Sequence, residues 1–293
     1  MKQTLLSVEQ LSVCFNQTQT VVDNISFEIQ AGETFALVGE SGSGKSMTAL
    51  SVLRLLPNNA TLLAKGLRLQ EDDLLSLSEL SMCQVRGRRI GLIFQDPLSS
   101  LNPVMTISQQ IAEVLRIHFD LSKEQEAARV LELLRQVEIP NPETRLQDYP
   151  HQLSGGQRQR VMIAIALAAK PDLLIADEPT TALDVTIQAQ ILTLLKQLQQ
   201  QTGMALWLIS HDLALVSSIA HRVAVMQKGK IVETGTAAEL FANPQHPYTQ
   251  KLLSVLPSIH HAGKLHNAHA APLLAVKDFY CHYPIRKGVF KRI

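Results

Sequence analysis

The chain has 293 residues, 46% of them hydrophobic, and its 27 basic and 26 acidic side chains leave a formal charge of +1. That length is enough to bury a sizeable core in one or two domains. The balanced charge and the 4% aromatic content remove the electrostatic and stacking grounds for nucleic acid as the main ligand.

Residues 5–15 and 21–29 read as two strands, with a turn at 31–33. Residues 34–38 form a short apolar run, read as a buried strand. A glycine-rich loop follows, then a helix over 45–56 that Pro57 stops. Residues 58–90 are mixed and polar, and 90–94 is another short strand. From 106 to 137 the apolar residues (Ile107, Ile111, Val114, Leu115, Val130, Leu133, Leu134) recur at helical spacing, as in an inserted helical subdomain. A further helix over 157–169 follows Leu153, Ser154, Gly155 and Gly156. Strands at 173–176, 205–209 and 223–226 then alternate with helices at 187–198 and 213–220, the pattern of a largely parallel α/β sheet.

Between 258 and 272 Ala, His and Gly dominate and the periodicity stops, which marks a linker. Its histidines, His260, His261, His266 and His269, have no cysteine or acid beside them, so no metal site is expected there. Residues 273–283 read as a strand again, in which Leu5, Leu6 and Val8 recur as Leu273, Leu274 and Val276. Cys14, Cys83 and Cys281 form no CxxC pair and read as reduced thiols. The first ten residues lack a signal-peptide core, and the longest apolar run, 161–169, is well under the ~18 residues of a membrane span. The chain is therefore expected neither to span a membrane nor to be exported, any membrane role coming through a partner.

Two motifs carry chemistry. Gly39, Glu40, Ser41, Gly42, Ser43, Gly44, Lys45 and Ser46 fit G-x-x-x-x-G-K-[ST] between a strand and a helix, the context that motif requires. Its glycines let backbone N–H groups turn inward onto phosphate, Lys45 supplies a cation for the β- and γ-phosphates, and Ser46 a ligand for Mg²⁺. The second is an apolar strand ending in Asp177 and Glu178, which sets two carboxylates at the edge where ligands collect in such sheets. Asp177 is expected to hold Mg²⁺ and Glu178 to act as general base on water.

Ser154, Gly155, Gly156 and Gln157, just upstream of that strand, resemble the signature of ABC ATPases. The resemblance implies an α/β fold, a P-loop NTPase core of ABC ATPase type with an inserted helical subdomain and an antiparallel β-subdomain. It implies that the signature faces the γ-phosphate held by a second nucleotide-binding domain. Gln95 resembles the glutamine that contacts Mg²⁺ and the attacking water, and His211 the histidine that contacts the γ-phosphate. Phe15 stands where an aromatic stacks on adenine, and Thr181 to Asp184 resemble the D-loop. On this resemblance the catalytic residues are Glu178, His211 and Gln95, and the Mg²⁺ ligands Ser46, Gln95 and Asp177; ATP and Mg²⁺ are the implied cofactors.

The stretches 94–103 and 243–249, with residues 148–152, are similar to the oligopeptide/dipeptide/nickel importer subfamily. Members with an iron–sulfur centre carry a cysteine cluster that has no counterpart here, and none is expected. The resemblance implies an ATPase that drives uptake of peptides, or else of glutathione, a peptide antibiotic or nickel, through separate permease subunits. It would act at the cytoplasmic face of the inner membrane and serve a solute-binding protein indirectly. Residues 98–111 would be the docking surface. The expected organisation is a nucleotide-binding domain over 1–257 (helical subdomain about 96–165), a linker over 258–272, and the truncated start of a second nucleotide-binding domain over 273–293. That segment resembles the second half of fused importer ATPases; alone, the chain needs a homodimer or a separate paired domain. A soluble ABC ATPase of repair or translation fits less well, for want of a coiled-coil interruption or two complete domains. A P-loop kinase leaves Ser154–Gln157 unexplained.

Overall fold

The computed structural model describes residues 3–254, apart from Ala182 and the side chain of Leu98, and residues 274–280; the expected linker lies outside the described residues. The chain divides into two units, residues 1–256 and 257–293. In the first, β1 (Thr4–Phe15), β2 (Gln19–Gln30) and β3 (Thr34–Val38) lead into α1 (Lys45–Val52), followed by β4 (Ala60–Leu63), β5 (Gly66–Leu69), β6 (Asp72–Asp73), α2 (Glu79–Val85) and β7 (Ile90–Ile93). Next come α3 (Pro97–Ser100), α4 (Ile107–His118), α5 (Lys123–Gln136), α6 (Pro142–Arg145) and α7 (Gly155–Leu167). β8 (Leu173–Asp177), α8 (Val185–Thr202), β9 (Ala205–Ser210), α9 (Leu213–Ile219), β10 (Arg222–Gln227), β11 (Lys230–Thr236), α10 (Ala237–Ala242) and α11 (Pro247–Ser254) complete it.

The strands form two sheets. β2, β1, β5 and β6 make an antiparallel sheet, with β4 also paired to β1. The second runs β11-β10-β3-β9-β8-β7, parallel throughout except for the β10–β11 pair. β3 is buried at every position because both its faces are covered. Phe35 and Leu37 face the antiparallel sheet, while Ala36 and Val38 face the helices. Between the sheets Phe27 stacks on Phe35 at 5.3 Å between centroids and lies 5.1 Å from Trp207. On the other face α4 and α5 pack against α7, and α7 against β7 and α8.

Three expectations are corrected. The helix from Lys45 ends at Val52, not residue 56, because Arg54 adopts a positive φ of 52° and donates to the carbonyls of Leu74 and Leu77. The polar stretch 58–90 holds three short strands and α2, whose N-cap Ser78 accepts from the Ser81 N–H. Residues 274–280, expected as strand, carry no regular secondary structure, and Leu274, Val276 and Phe279 are exposed. A strand is held by ladder partners, and no described strand pairs with this segment.

Candidate functional site

The parallel strands end together. In register, Val38 of β3 meets Ser210 of β9, Asp177 of β8 meets Ile209, and Ile93 of β7 meets Ala176. The segments leaving these C-terminal edges therefore converge, as expected of an open parallel sheet. From β3 leaves the loop 39–46. At Gly39 a Cβ would lie 2.1 Å from the Met226 carbonyl oxygen, and Gly44, at φ 105°, would bring one within 2.7 Å of the Val21 carbonyl. Only glycine fits either position, so the loop closes tightly against β2 and β10.

Lys45 is buried, and its Nζ donates to the carbonyls of Gly39 and Glu40, both at 2.9 Å. Burial lowers its pKa, against the carboxylates of Glu178 and Asp177, which raise it. Burial likewise pushes the Asp177 carboxyl up; the Ser46 hydroxyl bonded to it and the Lys45 charge work the other way, and Glu178 reinforces the rise. Asp177 Oδ1 is buried without a hydrogen-bond partner. A buried, unsatisfied carboxylate oxygen beside a hydroxyl suits a hard cation, so Ser46 and Asp177 fit Mg²⁺.

Glu178 is the hub. Its backbone takes φ 45°, a costly conformation for a non-glycine residue that recurs at functional sites. Its N–H bonds the Ile209 carbonyl at 2.9 Å, which fixes the turn off β8. Oε2 accepts from Gln95 Nε2 and Thr181 Oγ1, both at 2.9 Å, and Oε1 lies 3.1 Å from His211 Nδ1. Gln95, Glu178 and His211 thus meet from three different strands. Gln95 and Glu178 also line a cavity of about 150 Å³ with Ser41, Gly42, Gly44, Lys45 and Ser46. A larger depression of about 580 Å³ adjoins it along Ser46, Phe94, Gln95 and Asp177. Another cavity, of about 460 Å³ and lined by Gly32, Arg129, Lys170, Asp172 and Met204, sits at the opposite ends of the strands, away from these carboxylates.

Other expected residues lie apart from this cluster. Phe15 ends β1, partly buried against the inter-sheet core, and is not among the residues lining the small cavity. Ser154 caps α7: its Oγ accepts from the Gln157 N–H, and Gln157 Oε1 from the Ser154 N–H, a reciprocal capping box. Neither side chain reaches residues 39–46. Cβ atoms at Gly155 and Gly156 would meet Leu183 and Ile187, so this segment packs beside the start of α8, where Asp184 accepts from the Ile187 N–H at 3.0 Å.

Sequence reasoning missed two contacts. The Thr181 bond to Glu178 has a readable signal, a hydroxyl three residues beyond the acid. The Tyr248 hydroxyl accepts from the Glu40 N–H at 3.0 Å across 208 residues, and no local pattern announces that.

Residues 22–181 match the model of the ABC transporter family, and residues 232–283 that of the oligopeptide/dipeptide transporter C-terminal region. The chain is 52% identical to the uncharacterized ABC transporter ATP-binding protein YejF of Escherichia coli (strain K12), over 100% of this chain and 56% of that protein. It is 45% identical to the glutathione import ATP-binding protein GsiA of Escherichia coli O157:H7, over 99% and 52%. With the oligopeptide transport ATP-binding protein OppD of Bacillus subtilis (strain 168) it shares 51%, over 89% and 74%. The chain spans about half the length of the first two. Among solved structures, the dimeric, post-hydrolysis ATP-binding cassette MJ0796 bound to ADP and Pi is 26% identical, with a TM-score of 0.70, over 80% of this chain and 99% of that one.

Proposed function

The chain belongs to the ABC transporter family, and from that premise we propose that it binds ATP with Mg²⁺ on the loop 39–46 and hydrolyses it to drive solute import. The observation that carries this reading is Glu178, held by Gln95, Thr181 and His211 beside the Lys45 loop. In the proposed mechanism the inward N–H groups of the loop and Lys45 bind the β- and γ-phosphates. Ser46 and Asp177, with Gln95, would hold Mg²⁺, which would supply positive charge to offset that of the phosphates. Glu178 accepts a proton from the attacking water, Gln95 orients that water, and His211 contacts the γ-phosphate. Phe15 stacks on adenine. Ser154, Gly155, Gly156 and Gln157 complete the site of a second nucleotide-binding domain, and Asp184 crosses to that domain.

The solute is proposed to be a peptide, on the strength of the C-terminal match and of the names OppD and GsiA; glutathione stands within the same class. Antibiotic peptides and nickel are the remaining readings of that site-independent choice. No helix among the described residues is long and apolar enough to cross a membrane. Import then requires separate permease subunits, which hold the chain at the cytoplasmic face of the inner membrane and receive solute from a binding protein. The domain organisation proposed is a nucleotide-binding domain to about residue 257, a linker, and from Leu273 the start of a second such domain. The recurrence of Leu5, Leu6 and Val8 and the greater length of the relatives support it.

The test is co-reconstitution with permease subunits of the oligopeptide/dipeptide class, in proteoliposomes. Solute is expected to stimulate hydrolysis only with the permease and binding protein present, and Glu178→Gln to abolish both hydrolysis and uptake. Phosphate transfer to a metabolite in place of release would overturn the reading.

A further inference from the structure

The turn that precedes α11 is built to place one hydroxyl. Glu233 of β11 accepts from the N–H groups of Gln245 at 2.8 Å and His246 at 3.0 Å. His246 then turns its own ring back, and Nδ1 accepts the Tyr248 N–H at 3.1 Å. The Tyr248 ring is buried, at 6% exposure, in the helix-side core. Its hydroxyl emerges at the start of the phosphate loop and accepts the Glu40 N–H at 3.0 Å. The carbonyl of that same residue accepts from Lys45 Nζ. Glu40 is thus pinned on one side by the C-terminal turn and on the other by the lysine that serves phosphate.

We propose that Tyr248 is a positioning residue for nucleotide: its hydroxyl fixes the first half of the phosphate loop, so that the turn at residues 243–248 sets the loop's affinity for triphosphate. The inference rests on the loop being the nucleotide site. A loop whose N–H groups are already aimed binds phosphate without first being ordered. Losing the pin leaves the chemistry of Glu178 untouched, so the effect falls on binding and not on turnover. Burial raises the Tyr248 phenol above its ordinary value, against the Glu40 N–H, which lowers it, and with the Glu40 charge, which raises it further; the hydroxyl stays protonated at neutral pH.

The experiment uses the full chain and equilibrium titration with a fluorescent ATP analogue and Mg²⁺, alongside steady-state ATP hydrolysis and amide exchange. Tyr248→Phe keeps the ring and removes the acceptor. The expected result is a Kd and a KM for ATP raised about five-fold, the worth of one hydrogen bond, with kcat within about two-fold. The Glu40 amide should exchange faster, and Leu252→Ala, in the same helix α11 and packed against the same core, should leave affinity unchanged. Glu233→Gln, which loosens the turn without touching Tyr248, should shift affinity the same way by a smaller factor and keeps the test alive if Tyr248→Phe fails to fold. Unchanged affinity in these variants, with Lys45→Ala losing binding, overturns the pin alone. Unchanged affinity in Lys45→Ala as well overturns the nucleotide site and the pin with it. Equal weakening by Leu252→Ala would reduce the effect to general loosening and also overturn it.

Discussion

Glu178 and Lys45 occupy one small cavity, yet they are expected to fail differently when replaced. In the proposed site Lys45 would face ground-state phosphates, and a charge-assisted bond there is worth about 1.5–3 kcal/mol. Lys45→Ala should therefore weaken nucleotide binding by a factor on the order of 10 to 100. Glu178→Gln should leave binding near the starting value and cut hydrolysis by about 100-fold or more, the usual worth of a general base; retained turnover in a single-turnover assay would remove Glu178 from that role. A separate prediction concerns His118, whose Nε2 lies 2.8 Å from where a Cβ on Gly87 would stand and whose Nδ1 is buried without a partner. Burial, then the Arg88 charge, lowers its pKa below 6.5. The folded chain thus resists a proton that the unfolded chain accepts, so stability is lost as pH falls below about 6.5 toward the lowered value. Thermal midpoints taken across that range should drop, and His118→Gln should flatten the profile. At this scale the sequence was legible where chemistry is local: Gly39 to Ser46, Asp177 and Glu178 each sit in a run whose spacing is the signal. Tyr248, Met226 and Gln110 act through contacts distant in sequence or hidden in packing, and nothing in their neighbourhoods sets them apart as partners.

Elements were legible in proportion to their length and to the number of faces they bury. β3, β8 and β9 read clearly because burial on both faces makes them continuously apolar. β6 and α2 escaped because two and seven residues carry too little periodicity. β11, at the sheet edge, has only partly buried and exposed positions and so lacks an apolar pattern. The stretch proposed to dock the permease shows how an element can be half core and half display. Leu101 is 2% exposed while Val104 is 79% exposed. Gln110, itself buried, accepts the Asn102 N–H at 2.9 Å and donates to the carbonyls of Asn102 and Met105. The loop is therefore held in one shape with Val104 outward. Val104→Cys should cross-link to a cytoplasmic loop of the permease, with a yield that changes with nucleotide, and Leu101→Cys should not. No cross-link from Val104 in any nucleotide state would count against docking there. The cap of α7 offers a cleaner separation of structure from function. Ser154→Ala should cost about 1 kcal/mol of stability, as N-cap losses do. If the segment also serves a neighbouring site, hydrolysis should fall far more than that loss explains, with nucleotide affinity of the isolated chain unchanged.

The whole molecule was legible as alternation: strand and helix in turn after residue 170 require a parallel sheet, and a parallel sheet requires its ligand edge. What alternation could not supply is where the second half of the site comes from. Within one chain, the loop 39–46 closes on β2 and β10, whereas Ser154 and Gln157 spend their hydrogen bonds on each other and their glycines lie against Leu183 and Ile187. The segment is the N-terminus of a thirteen-residue helix, whose positive end can attract an anion that this chain's own loop does not present to it. Two chains placed head to tail would satisfy both, each contributing its α7 terminus to the other's phosphate. On that proposal the active species is a dimer, and at protein concentrations below its dissociation constant the dimer population grows with the square of the total. Hydrolysis per volume should accordingly rise more steeply than linearly with protein and approach linearity only as dimer saturates. Mixing supplies the decisive form of the measurement. A chain carrying Lys45→Ala and a chain carrying Ser154→Ala are each deficient alone, because every dimer of either has two damaged sites. In the mixed dimer one site combines both lesions and the other has neither; equal mixing makes about half of the dimers mixed, so activity should recover toward about a quarter of that of the unmodified protein. Linear dependence in a demonstrated monomer would place the complete site within a single chain, and no recovery on mixing would make the partner a separate nucleotide-binding domain and not a second copy.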